Sequence, residues 1–247
     1  MCETCGCAIH HGHEHTHHHG EVDLGAQPLL SLNDRLAGNN RRLFRDHGVT
    51  VVNVVSSPGA GKTALLEKNK RALGAELRLA AILGDLATEN DAQRLRSSGA
   101  HARQITTGSA CHLDAHMICH ALEDEHLDLH HLDLLLIENV GNLVCPASFD
   151  LGEDLFVVVL STTEGEDKPL KYPVIFLKSD AVLLNKIDLA AAVEFNRELG
   201  LKNIAAAAPK ARCFETSARK GDGLEDWYDY LRRHVAAKRA AHQAHQG

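Results

Sequence analysis

Ser56-Ser57-Pro58-Gly59-Ala60-Gly61-Lys62-Thr63 is a stretch whose residue types and spacing could hold phosphate. Small residues let successive backbone N–H groups converge on phosphate oxygens, and a helix opening at this point would set its positive end behind them. Ser57, Pro58, Gly59, Ala60, Gly61 and Ala64 would then form the cradle. Lys62 would reach the β- and γ-phosphates, and the Thr63 hydroxyl would hold Mg²⁺. One departure is visible, because Ser56 stands where the usual Gly-x-x-x-x-Gly-Lys-Ser/Thr pattern has its first glycine.

Asn185-Lys186-Ile187-Asp188 could read a base. An aspartate here can accept from the N1–H and 2-amino edge of guanine, which adenine does not offer, and such paired polar contacts reject the base that lacks them. Asn185 would bond N7, Lys186 would cover the ring, and a backbone N–H of Ser217 or Ala218 would reach O6. A phosphate loop followed by this set implies a GTPase that cycles between GTP and GDP. An ATP-using α/β enzyme is disfavoured by Asp188. Between the two lies Glu138-Asn139-Val140-Gly141, a Glu-x-x-Gly loop. It places Glu138 on the Mg²⁺ side and gives Gly141 an N–H with which to sense the γ-phosphate. Asp85 suits a role linked to Mg²⁺ or to the attacking water. Thr88 and Asp91 read as structural, a capping box at a helix start. No arginine or glutamine can be assigned to position water, so slow turnover is expected.

Metal chemistry is written twice. Cys2, Cys5 and Cys7 are followed by seven histidines between His10 and His19, a density of thiolate and imidazole that binds Ni²⁺, Zn²⁺ or Cu without a folded scaffold. Further on, Cys111, His112 and Cys145 offer two thiols and an imidazole, a good set for Zn²⁺ or Ni²⁺ that a dimer could complete. His112, His116 and His120 recur at helical spacing, so His116 could join as a ligand, whereas His120 reads as solvated. Cys119 and Cys213 read as buried thiols.

The elements that must position these groups alternate. Strands are predicted at Val49–Val55, Arg78–Leu83, Ala102–Ile105, Leu132–Ile137, Leu155–Leu160, Ala181–Leu184 and Arg212–Glu215. Helices are predicted at Ser31–His47, Ala64–Leu73, Glu89–Ser98, Cys111–Glu123, Leu170–Leu177, Val193–Leu199 and Leu224–Ala237. Short apolar runs without alternation suit a parallel sheet covered on both faces. The fold class is therefore α/β, a doubly wound sheet of about seven strands, with ligands at the strands' carboxyl ends. Residues 1–20 form a metal-binding tail, too polar to bury a core and expected to be disordered without metal. Residues 21–30 read as a linker, 31–240 as a nucleotide-binding domain with an N-terminal helix, and 241–247 as a C-terminal tail.

A net charge of −7 and a pI near 6.2 recommend no nucleic-acid partner. No apolar run is long enough for a membrane span, and the start carries no basic-then-apolar signal, so a cytoplasmic protein is expected. Seven cysteines in such a chain point to thiol ligands rather than disulfides.

These motifs together resemble the HypB family of hydrogenase nickel-incorporation GTPases across nearly the whole chain. The resemblance also rests on Cys111-His112-Leu113-Asp114, Gly141-Asn142-Leu143-x-Cys145-Pro146 and Thr163-Glu164-Gly165-Glu166-Asp167-Lys168-Pro169. It implies a P-loop NTPase fold of the SIMIBI type, a homodimer formed with GTP, a tight nickel site at Cys2, Cys5 and Cys7, and a second metal site at Cys111, His112 and Cys145. It further implies delivery of Ni²⁺ to the large subunit of [NiFe] hydrogenase with a HypA-type accessory protein. Arg219 departs from the common Ser-Ala-Lys. The nearest competing family, UreG, carries Cys-Pro-His where Ala147 here follows Cys145-Pro146. A rival function is nickel storage on the histidine run, with the GTPase as a regulatory module.

Overall fold

The computed structural model describes residues 26–85, 90–97, 99, 101–123 and 127–246. Cys2, Cys5, Cys7, the histidine run and Thr88 lie outside them. Seven parallel strands form where strands were predicted: β1 (Thr50–Ser56), β2 (Leu79–Asp85), β3 (His101–Thr106), β4 (Leu134–Glu138), β5 (Leu155–Ser161), β6 (Ala181–Asn185) and β7 (Arg212–Glu215), in the order β3-β2-β4-β1-β5-β6-β7. Every residue of β1, β4, β5 and β6 is buried, as a central parallel strand requires. Successive side chains then serve opposite faces. Val52, Val54, Leu134 and Leu136 pack with Leu65, Leu66, Leu95 and Trp227 on one side. On the other, Val51, Leu135 and Ile137 pack with Phe44, Leu113 and Ile118.

The helices are α1 (Ala26–Asp46), α2 (Lys62–Leu73), α3 (Asn90–Ser97), α4 (Ala115–Ala121), α5 (Lys168–Lys171), α6 (Pro173–Lys178), α7 (Arg197–Ala207) and α8 (Leu224–Gln246). Four differ usefully from expectation. Helix α1 starts at Ala26, because Pro28 falls in its first turn, where a missing N–H costs no helical bond. Helix α4 does not begin at Cys111: the Asp114 side chain accepts from the Met117 N–H at 2.8 Å and caps a helix that starts one residue later, leaving Cys111 and His112 on a loop. Asn196 caps α7 in the same way, so the predicted Val193 start is too early. Residues 241–246, read as a tail, continue α8 through an alanine-rich stretch of high helix propensity. Among the described residues, no helix is long and apolar enough to cross a membrane.

Two buried asparagines on α1 tie it to α4 and to the loop before β5. Asn40 Nδ2 donates to the carbonyls of Ala115 at 2.9 Å and Leu151 at 3.1 Å, and Asn33 accepts from the Ala115 N–H at 2.9 Å. At the amino end of the sheet Asp133, 3% exposed, accepts from the Arg78 N–H at 2.8 Å, from Arg78 Nε and Nη2, and from Arg239 of α8. Burial would raise its carboxyl, but the hydrogen bonds from Arg78 and Arg239 prevail and hold it at about 2. Because the folded value lies below the unfolded one, the carboxylate stabilises the protein above pH ~4 and loses that contribution as pH falls through about 2. Asp133→Asn should therefore cost about 2 kcal/mol at neutral pH, a difference that closes on acidification in denaturant unfolding curves.

Candidate functional site

Strand β1 ends at Ser56, with β4 on one side and β5 on the other, so the loop after it opens where the strand order reverses. Gly59 and Gly61 have φ of 75° and 103°, a left-handed backbone that a side chain would strain. Ser56 has no such φ, so the position does not demand glycine; its hydroxyl instead accepts from Lys62 Nζ at 2.9 Å. Together with Asp85 and the Glu138–Gly141 loop, Pro58, Gly59, Gly61, Lys62, Thr63 and Ala64 line a cavity of about 410 Å³ at the carboxyl ends of β1, β2 and β4; Ser57 and Ala60 do not reach it. A Cβ on Gly141 would lie 3.0 Å from Pro58 Cα, so a side chain there would press this loop away from the phosphate cradle.

The Thr63 hydroxyl donates to Glu138 Oε1 at 2.9 Å, while Glu138 Oε2 is buried and has no hydrogen-bond partner among the described residues. Burial pushes the Glu138 carboxyl up to about 7 against the pull of Lys62, and burial lowers Lys62 in turn. An orphaned buried carboxylate oxygen beside a threonine hydroxyl, with Asp85 and Asp91 in the same wall, is a donor set that fits Mg²⁺. Asp91, read from sequence as structural, thus lines the cavity. So do two residues that sequence reasoning missed. Arg94 Nε lies 3.1 Å from Glu67 and its Nη1 3.3 Å from Asp91; Gln104 has a buried Oε1 with no partner among the described residues. A polar glutamine inside strand β3 was the available signal.

At the other end of the cradle, Asn185 Nδ2 donates to the Ala60 carbonyl at 2.8 Å, and Lys186 Nζ donates to that of Gly59 at 2.7 Å. Lys186 itself is left-handed, at φ 60°. Asp188 accepts from the Ser217 hydroxyl at 2.7 Å, which holds its carboxyl below the usual range. The backbone N–H groups expected to meet guanine O6 are committed elsewhere. Ala218 donates to Asn185 Oδ1 at 2.9 Å and Ser217 to the Asp222 carbonyl, since buried N–H groups must be satisfied. A base oxygen would have to take one of them from its present acceptor.

Cys111 and Cys145, 34 positions apart, meet with their sulfurs 2.8 Å apart. The ligand atoms of Cys111, His112 and Cys145 all lie within 4.8 Å of one another. His112 stacks on Phe149 at 3.7 Å, and burial lowers its pKa, which favours the neutral imidazole a metal needs. The thiol pair raises Cys111, chiefly through its hydrogen bond to Cys145. His116 is not part of this cluster: its Nε2 lies 3.0 Å from that of His120, one turn further along α4. Cys119 is half-buried against Leu36, Ala37 and Ala115. Cys213 is exposed rather than buried, because β7 forms an edge of the sheet.

Residues 50–214 match the nucleotide-binding domain family CobW/HypB/UreG, so a phosphate-loop nucleotide-binding protein is the class that fold and site define. Within that class the matches are specific. The chain is 51% identical over 213 residues to hydrogenase maturation factor HypB of Rhizobium leguminosarum bv. viciae, covering 86% of this chain and 70% of that protein. Against HypB of Escherichia coli K12 the identity is 44% over 232 residues, with 90% and 78% covered. The crystal structure of HypB from Helicobacter pylori in complex with nickel superposes with a TM-score of 0.78 at 40% identity, over 83% of this chain and 95% of that one. HypB from Archaeoglobus fulgidus gives 0.77 at 42%, over 83% and 99%. The chain belongs to the HypB family of hydrogenase maturation factors.

Proposed function

We propose that this protein is a GTP-hydrolysing nickel metallochaperone that binds Ni²⁺ at Cys111, His112 and Cys145 and assists its insertion into the large subunit of [NiFe] hydrogenase. The observation that carries the reading is a pair of asparagines joining the two sites. Asn139 Oδ1 accepts from the Leu113 N–H at 3.0 Å, in the Cys111 loop, and from the Val140 N–H at 3.0 Å, in the loop that would sense the γ-phosphate. Its Nδ2 donates to Asn53 of β1 at 3.2 Å. Asn142 Nδ2 donates to the Cys111 carbonyl at 3.2 Å. A shift of the Glu138–Gly141 loop on phosphate binding therefore pulls on the backbone that holds a thiol ligand, which is the two-state element a switch needs.

In the hydrolytic step Lys62 Nζ and the N–H groups of the cradle stabilise the charge that develops on the transferred phosphoryl group as water attacks. Thr63, Glu138 and Asp85 would hold Mg²⁺, which would supply neutralisation of phosphate charge. Gln104 Oε1, buried in the same wall without a partner among the described residues, is an acceptor suited to orienting the water. Arg94 is held by Glu67 and Asp91 rather than free to act as a finger, consistent with slow turnover.

Ni²⁺ or Zn²⁺ would find three donors here, one fewer than a closed tetrahedral site needs. A second copy bound in the presence of GTP supplies the rest, and Val144, 62% exposed beside Cys145, gives that contact an apolar anchor. Nickel would reach the site from a HypA-type partner or from Cys2, Cys5 and Cys7, and the histidine run adds storage capacity.

The test is Ni²⁺ affinity of the Cys111 site, read by thiolate charge-transfer absorption in protein carrying Cys2→Ser, Cys5→Ser and Cys7→Ser, with GDP and then with a non-hydrolysable GTP analogue. A tenfold difference, about 1.4 kcal/mol, is the expected coupling; equal affinities would sink it. In Asn139→Ala the difference should shrink to about twofold or less, while the GTP analogue still binds.

A further inference from the structure

We propose that Glu153, in the loop before β5, is a positioning residue that sets which way the Asn53 and Asn139 amides point, and so holds in place the acceptor shared by the two loops. The role deepens the switch proposed above and rests on it for its consequence, but it is tested without nickel or nucleotide.

An ionised carboxylate only accepts, whereas an amide accepts at one end and donates at the other. Glu153 uses both oxygens: Oε2 accepts from the Leu151 N–H at 2.8 Å and Oε1 from Asn53 Nδ2 at 3.4 Å. Asn53 must therefore turn its Oδ1 away, where it accepts from Asn139 Nδ2 at 3.2 Å. Asn139 in turn presents its own Oδ1 to the N–H groups of Leu113 and Val140, each at 3.0 Å. Reversing either amide would set two donors face to face in a place closed to water, since Asn53 is 0% and Asn139 1% exposed.

The carboxylate is itself held. Its loop is tied to α1 by Asn33 Nδ2, which donates to the Asp150 carbonyl at 2.9 Å, and by Arg41, 2.7 Å from the Asp150 carboxylate. Burial raises the Glu153 carboxyl, and Lys178 Nζ, 3.8 Å from Oε1, opposes that rise. Glu153 lines neither the nucleotide cavity nor the thiol cluster, so its route to them runs through Asn53.

Glu153→Gln keeps the volume and removes one acceptor. Its oxygen stays with the Leu151 N–H, the shorter bond, and its Nε2 meets Asn53 Nδ2, which drives Asn53 to flip and face Asn139 with a donor. Adding Asn53→Asp puts an acceptor back between those two donors, so the double variant exchanges carboxylate and amide between two positions.

The test is backbone amide exchange, followed by NMR on the full chain without metal or nucleotide. In Glu153→Gln the Leu113 and Val140 amides should exchange about tenfold faster, while those of Leu135 and Val158 in the sheet keep their rates. In Glu153→Gln with Asn53→Asp both should return to within about threefold of the parent. Unchanged rates in the single variant, faster exchange that spreads to Leu135 and Val158, or no return in the double variant would each overturn the proposal. Should Glu153→Gln alone not fold, the double variant decides: parent-like exchange supports the role, and an unfolded or fast-exchanging chain removes it. The GTP effect on Ni²⁺ affinity should shrink in Glu153→Gln and return in the double variant; an effect that persists while the two amides exchange faster would separate Glu153 from the switch. Exchange as expected with no GTP effect in the parent would remove the switch and leave the positioning role standing.

Discussion

Lys62→Ala should slow GTP hydrolysis about a thousandfold, the loss seen when one fixed donor to a developing oxyanion is removed from a preorganised site. Lys62 is 7% exposed, and its Nζ waits on the Ser56 hydroxyl at 2.9 Å. A cation so placed acts through a medium of low dielectric, where its attraction to phosphate far exceeds that of a surface lysine. The fold should survive the change. Burial lowers Lys62 and raises its neighbour Glu138 to about 7, so their surroundings already disfavour charge on both. Single-turnover hydrolysis and thermal unfolding of the same preparation separate the two effects. A rate within about fivefold of the parent, with unchanged unfolding, would remove Lys62 from the chemistry.

Asp188→Ala should abolish the preference for GTP over ATP, from about ten thousandfold to within about tenfold, because a pocket that pairs donors on the base rejects an analogue lacking them. Ser217 holds one carboxylate oxygen at 2.7 Å and so fixes the orientation of the group that would meet the base. Competition of ATP against a fluorescent GDP analogue measures the ratio. A preference that survives the substitution would place base reading elsewhere, with the loop at Ser217 and Ala218 the next candidate.

Much of the nucleotide site was legible in the amino-acid order because its parts are local. A buried run followed by glycines, lysine and threonine dictates strand, turn and helix within about fifteen residues, so Lys62 and Thr63 fall where the pattern puts them. The five inner strands β1, β2, β4, β5 and β6 were legible for a similar reason, since an apolar run of strand length has few other ways to be buried. At two of the boundaries that failed a side chain decided the start: Asp114 starts α4 after Cys111 and His112, and Asn196 starts α7 after Val193.

What the order of residues determined by itself is therefore the glycine turn after β1, the Asn185–Asp188 loop and the parallel sheet, each set by short-range periodicity and backbone freedom. The tertiary structure alone decided which distant side chains share a surface. It brought Cys111 to Cys145, set Gln104 and Arg94 in the cavity wall, parted His116 from the cysteines to face His120, and made Asn139 a common acceptor for both loops. Spacing along a chain carries no record of these meetings, because they depend on how far each loop reaches once the sheet has fixed where its two ends stand.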